Sequence, residues 1–99
     1  MKYLLRFRGH AQRDVDAAFN WYADIDDRIA LGFLRSLDAI LARIGEAPLA
    51  YQVWPGKAVR RVPMDRFPYL VVYSVHETIV TVIAVVHTSR NPIRWLDRE

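Results

Sequence analysis

Two apolar runs in the second half of the chain, 67-FPYLVVYSV-75 and 79-IVTVIAVVH-87, are separated only by 76-HET-78. Dense Val, Ile and Tyr on both sides of a short polar break is the signature of a β-hairpin, so this chain must build a sheet. The polar residues near these runs gather at their ends: Arg60 and Arg61 lie upstream, and His87, Arg90 and Trp95 lie at or beyond the last apolar residue. A stiff sheet often presents binding or catalytic groups at its strand ends, which makes these residues the first candidates for a site.

The rest of the chain supplies a cover for the hairpin. Residues 2-KYLLRFR-8 alternate, with Tyr3, Leu5 and Phe7 on one face and Lys2, Arg6 and Arg8 on the other, the pattern of a half-buried strand. From His10 to Asp26 the period becomes helical, and Ala11, Val15, Ala18, Phe19 and Tyr22 form one stripe. Asp14 and Asp16 fall in the first turns, where the helix dipole favours negative charge. After 24-DIDD-27 a second helix is expected to Gly45, its stripe running Ile29 (or Ala30), Phe33, Leu37, Ile40, Leu41 and Ile44. Gly45 reads as the C-cap, and Pro48 blocks continuation.

A loop through Pro55-Gly56 leads to a strand at 58-AVRRVPM-64, which Pro63 assigns to a sheet edge because proline cannot donate to a ladder. Pro92 closes the last strand, leaving 93-IRWLDRE-99 as a short helical turn or tail. The order β-α-α-β-β-β predicts an α+β fold, a helix hairpin on one face of an antiparallel sheet, with residues 1–99 forming one domain.

Composition removes several function classes. There is no cysteine, hence no disulfide, thiol catalysis or thiolate zinc site, as suits a reducing cytoplasm. No apolar segment approaches the ~20 residues of a membrane span, and the N-terminus is too weakly apolar for a signal peptide. The net charge is +3, and all of the excess lies in residues 50–99: Lys57, Arg60, Arg61, Arg66, Arg90, Arg94 and Arg98 against Asp65, Glu77, Asp97 and Glu99. Arginine suits planar anionic partners, so nucleic acid or an acidic protein surface is a natural ligand, although a small domain can also be basic for solubility.

These residues, in this order, resemble the RelE/ParE family of small bacterial toxins from type II toxin–antitoxin systems over nearly the whole chain. The resemblance is carried by Ala11, Asp14, Val15, Ala18 and Tyr22 in the first helix and by Phe33, Leu37, Ile40, Leu41 and Pro48 in and after the second. It continues through Arg60, Arg61, Phe67, Pro68, Tyr69 and Tyr73, and then His87, Arg90 and Trp95. The Phe-Pro-Tyr segment and the ending His-x-x-Arg-x-Pro-x-x-Trp are more similar to the ParE, or plasmid-stabilisation, branch.

The resemblance implies the fold above and one of two activities. RelE-like members are ribonucleases that cut messenger RNA on the ribosome; ParE-like members poison DNA gyrase with no known catalysis of their own. It also implies a cognate antitoxin whose extended or helical tail wraps the toxin, and a cytoplasmic site of action. A degenerate member that binds antitoxin without being toxic is a third alternative. No metal and no cofactor is expected.

Cleavage of RNA by its own 2′-hydroxyl needs a base, phosphate-binding cations and an acid for the leaving oxygen. The RelE branch commonly has a C-terminal tyrosine where this chain has Trp95, and indole offers one N–H donor but no acid or base near neutral pH. A ribonuclease here would rely on His87 with Arg61 and Arg90, imidazole serving as base. For a binding toxin the expected target-contacting set is Lys57, Arg60, Arg61, His87, Arg90 and Trp95. By strand parity His87 shares a face with Ile79, Thr81, Ile83 and Val85, where it could equally be a histidine satisfied by nearby backbone. Arg60 and Arg61 must point to opposite faces, so at most one lines any given site, and Arg61 is favoured. Phe67, Tyr69 and Tyr73 read as core, Trp21 as off the first helix's stripe, and Trp54 as either a partner contact or a cover for the sheet edge.

Overall fold

A computed structural model of the chain describes residues 2–89. The alternating segment at the N-terminus forms β1, Leu4–Phe7, and the chain turns at once into α1, Gly9–Ile25. Ala11, Val15 and Ala18 of the α1 stripe are buried, with Phe19 and Tyr22 half-buried beside them. Asp26 breaks the helix with extended backbone, and its carboxylate accepts the Arg28 amide at 2.8 Å to start α2, Asp27–Glu46. The same carboxylate pairs with the Arg28 guanidinium at 3.0 Å, and these two bonds hold its pKa below the usual carboxylate value.

Of the alternatives at the head of the α2 stripe, Ala30 is the buried one; Ile29 faces outward at 39% exposure. Phe33, Leu37, Ile40 and Ile44 complete the buried row. Gly45 is not the cap: α2 runs through it, and the Ala47 amide still donates to the Arg43 carbonyl before Pro48 ends the helix. Proline, which cannot extend a helical ladder, sets the terminus here.

After a 3-10 turn at Pro48–Ala50 come β2, Arg60–Pro63, β3, Tyr69–His76, and β4, Ile79–His87. The hairpin between β3 and β4 turns on Glu77 and Thr78, with Glu77 in the left-handed region at φ 55°. The sheet order is β1-β4-β3-β2, so Pro63 does lie on an edge strand. The sheet is mixed rather than antiparallel: β1 pairs parallel with β4, from Leu4 opposite Ile79 to Phe7 opposite Val82. The chain returns to the starting end of β1 before β2 begins, and a meander of three strands then delivers β4 in the same direction as β1.

Both faces of the sheet carry apolar side chains. Val62, Val71, Tyr73, Val80, Val82 and Val85 face the helices and meet Phe33, Leu37 and Ile40. Val59, Val72, Ile83, Ala84 and Val86 form a smaller cluster on the far face, with Trp54 packed against it. Tyr22, Phe33, Phe67 and Tyr69 interlock edge-on or tilted, with ring centroids 5.2–6.4 Å apart, and tie the helix hairpin to the start of β3.

Strand alternation fails at one point. Val72 is opposite Ala84 and Tyr73 is opposite Val82, so Ile83 is an extra residue in β4, a β-bulge. Beyond it every side chain of β4 lies on the face opposite to the one simple parity assigns. His87 therefore shares the helix side with Val80, Val82 and Val85, not the side of Ile79, Thr81 and Ile83.

Candidate functional site

The strand-end residues separate into two environments. Arg60, opposite Tyr73, lies on the helix side where β2 begins. Its Nη1 donates to the Tyr51 carbonyl at 2.6 Å and the Leu49 carbonyl at 3.2 Å. The fully buried Tyr73 hydroxyl donates to the Pro48 carbonyl at 2.5 Å. Burial pushes the Tyr73 phenol up to about 12, against the opposing pull of the Arg60 charge. This polar group holds the segment after α2 onto the sheet.

Arg61 points to the far face. Its guanidinium carbon stands 4.1 Å from the centroid of the Trp54 ring, and the pair covers the cluster around Val59 and Val72. Trp54 is thus a cover for the sheet, and its indole gives Arg61 a flat surface to rest on. Lys57 is exposed in the turn between Trp54 and Val59. Arg61 and Trp54 together make a basic and aromatic surface on the side of the sheet away from the helices, with Lys57 exposed in the adjoining turn.

His87 stands elsewhere. It closes β4 opposite Tyr69 on the helix side, and the two rings meet edge-to-face with centroids 5.2 Å apart. The Ser89 amide donates to His87 Nδ1 at 3.2 Å, and the Ser89 hydroxyl lies 2.7 Å from the same nitrogen. An amide N–H donates only to an unprotonated ring nitrogen, so this arrangement places the proton of the neutral imidazole on Nε2.

A cleft of about 450 Å³ opens beside His87, lined by Asp14, Ala17, Trp21, Tyr69, Val85 and Ser89 among others. Trp21 is 65% exposed there, and the Asp14 carboxylate accepts the Val85 amide at 3.1 Å. Asp14 is a full turn beyond the α1 N-terminus, so its observed partner is a β4 amide rather than the helix dipole.

The structure therefore does not gather the candidate residues into one constellation. Arg61 and His87 lie on opposite faces of the sheet, and Arg60 binds backbone carbonyls. Arg90 and Trp95 lie outside the described residues. His10 accepts from Arg13 at 3.1 Å on the exposed start of α1, and His76 lies 3.5 Å from Glu77 at the hairpin turn. Among the described residues no three His, Asp or Glu side chains are grouped to hold a metal ion. No described helix is long and apolar enough to cross a membrane. The cleft around His87 was not visible in the sequence, because the bulge that turns His87 toward α1 lies in an apolar run with no residue to mark it.

Comparison with known proteins identifies relatives of this arrangement. The family described as ParE toxin of type II toxin-antitoxin system, parDE, matches residues 5–92. The chain is 32% identical over 89 residues to Toxin ParE2 of Mycobacterium tuberculosis, an overlap that spans 89% of this chain and 84% of that protein. Among solved structures, the chromosomal ParDE toxin–antitoxin system from P. aeruginosa superposes with a TM-score of 0.78 at 15% identity, covering 89% of this chain and 98% of the other. A mutant of E. coli toxin RelE in the free state superposes with a TM-score of 0.63 at 19% identity, covering 90% and 86%.

Proposed function

Because the chain belongs to the ParE toxin family of type II toxin–antitoxin systems, we propose that it arrests bacterial growth by binding DNA gyrase, and that a cognate antitoxin neutralises it in the cytoplasm. The observation that carries this reading is the match over residues 5–92 to the ParE description, together with the 32% identity to Toxin ParE2. The site chemistry supports it: His87 has its Nδ1 occupied by the Ser89 amide, and Arg61 stands across the sheet from it. A target-binding surface does not require these groups to converge on one reacting atom, as acid–base catalysis does.

In this reading Lys57 and Arg61 meet the target on the far face and His87 meets it at the end of β4. Arg60 supports the surface by holding residues 48–51. Truncating one partner of a desolvated charged contact of this kind costs ~2–5 kcal/mol at an interface. Arg61→Ala should accordingly weaken growth inhibition strongly, while Arg28→Ala and Arg35→Ala on α2 should not.

The test is direct. Purified protein should block gyrase-driven supercoiling or trap cleaved DNA, and its expression should cause filamentation with DNA-damage signalling while ribosome-bound messages stay intact. Co-expression of the protein encoded beside it should form a tight complex and restore growth. Site-specific message cleavage that disappears in His87→Ala would replace this reading with a ribosome-dependent ribonuclease. A chain harmless when expressed alone, yet bound tightly by the neighbouring gene product, would mark a non-toxic antitoxin-binding member.

A further inference from the structure

The last half of β4 reads 83-IAVVH-87, and its hydrophobic pattern does not decide which way it faces. With the bulge at Ile83, Val85 and His87 face the helices while Ala84 and Val86 face away. Without it, Ala84 and Val86 would turn to the helices, and Val85 and His87 would turn to the far side. Both faces are apolar here, so exchanging Val85 for Val86 changes little in what is buried. Register is weakly specified wherever the two faces of a strand are so alike. His87 is the one residue in this stretch whose chemistry depends on the outcome.

A polar contact breaks the tie. β1 pairs with β4 only as far as Val82, where the Arg8 amide donates to the Val82 carbonyl. Past that point no strand among the described residues pairs with the outer edge of β4, and the Val85 amide points outward toward α1. Asp14 supplies the missing acceptor at 3.1 Å. Without the bulge the Val85 amide would turn toward β3 and the Ala84 and Val86 amides would face outward, displaced from the acceptor that Asp14 holds at 3.1 Å. An outward amide without a partner costs about as much as a lost hydrogen bond, so the placement of the Asp14 carboxylate favours the bulged register.

We propose that Asp14 is a positioning residue: its carboxylate pins the Ile83 bulge through the Val85 amide and thereby sets His87 on the helix side, in contact with Tyr69 and open to the cleft. The functional weight of this inference rests on the reading above, in which His87 meets the target. The pinning itself does not. Asparagine retains an acceptor oxygen at the same position, so Asp14→Asn should preserve the bulge, whereas Asp14→Ala should release it.

The experiment follows the Val85 amide and the His87 ring in the full chain by NMR. In the wild type the Val85 amide should be protected from exchange, and nuclear Overhauser effects should connect the His87 and Tyr69 rings. Asp14→Asn should keep both. Asp14→Ala should speed Val85 exchange by at least about tenfold and abolish the ring contacts. Should Asp14→Ala fail to fold, wild type in sub-denaturing urea supplies the second measurement: Val85 opening and loss of the His87–Tyr69 contacts should share one midpoint. An unprotected Val85 amide in the wild type, intact ring contacts in Asp14→Ala, an Asp14→Asn variant that behaves like Asp14→Ala, or two separate midpoints would each overturn the proposal. In growth assays Asp14→Ala should lose as much inhibition as His87→Ala, and the double variant should lose no more. If His87→Ala remains fully toxic while the NMR results hold, the target surface is misassigned and the pin stands.

Discussion

Where β2 begins, the sheet is closed by its own chain: Arg60 and Tyr73 bind the carbonyls of Pro48, Leu49 and Tyr51. Where β4 finishes, the sheet opens into the cleft between His87, Tyr69 and α1. Both ends carry polar side chains on the helix side, and from sequence the two are hard to distinguish. At the closed end every hydrogen bond serves the fold; at the open end the same kinds of groups face solvent. A cluster of arginine, tyrosine and histidine at strand ends is therefore not evidence of one site, because the backbone can be the ligand.

The sharpest way to break the comparison is to truncate a tyrosine at each end. Tyr73→Ala removes a fully buried ring and the donor to Pro48, and should cost about 3–5 kcal/mol in urea unfolding. Tyr69→Ala, at the half-exposed mouth of the cleft, should cost about 1–3 kcal/mol. Equal losses would mean that the open end is as much part of the core as the closed one.

Arg60→Ala comes next. Loss of two charge-assisted bonds to backbone carbonyls should destabilise by about 1.5–3 kcal/mol and loosen residues 48–51 to proteolysis. An Arg60→Ala protein of wild-type stability but no toxicity would move Arg60 from the fold to the target surface.

Tyr73→Phe isolates the hydroxyl and should cost about 1–2 kcal/mol near neutral pH. It also has a pH signature. The folded phenol titrates near 12 against an ordinary 10.0, so the folded state holds this proton more tightly than the unfolded state. The associated stability is fully present below pH 10 and is lost as pH rises toward 12. Alkaline unfolding curves should converge for wild type and Tyr73→Phe across that window; parallel curves would show that Tyr73 does not titrate with the fold.

The smallest effect belongs to Arg61→Ala. Its stacking on Trp54 contributes about 0.5–1 kcal/mol, so thermal stability should barely move while growth inhibition falls. The pair Arg60 and Arg61, adjacent in sequence, should thus separate cleanly into a stability variant and a function variant.

Much of the fold is legible in residue periodicity. The stripes from Ala11 to Tyr22 and from Phe33 to Ile44 place both helices, and Pro63 places an edge strand, because each reflects local geometry that the residue types obey directly. What escaped the sequence has a common cause in long-range pairing. The parallel β1–β4 contact depends on the path of residues 47–59, which leave no periodic trace. The fate of Arg60 depends on carbonyls exposed by the termination of α2 at Pro48. The side on which His87 emerges depends on an extra residue in 81-TVIAVVH-87, where apolar residues occupy both parities. His87 and Arg61, which a ribonuclease would need together, lie on opposite faces for that last reason, since one inserted residue reverses every side chain beyond it.

The pairing of β1 with β4 also bears on synthesis. Leu4 finds its partner in Ile79, so β1 must wait for β4 to be synthesised. Contacts of such sequence separation form late and slow the search for the native state. Until β4 has emerged, β1 has no strand partner, the Val85 amide has not reached Asp14, and the open end of the sheet is missing, although Arg60, Tyr73 and residues 48–51 of the closed end have already been made. A copy that stops before β4 therefore lacks the cleft beside His87 and Tyr69.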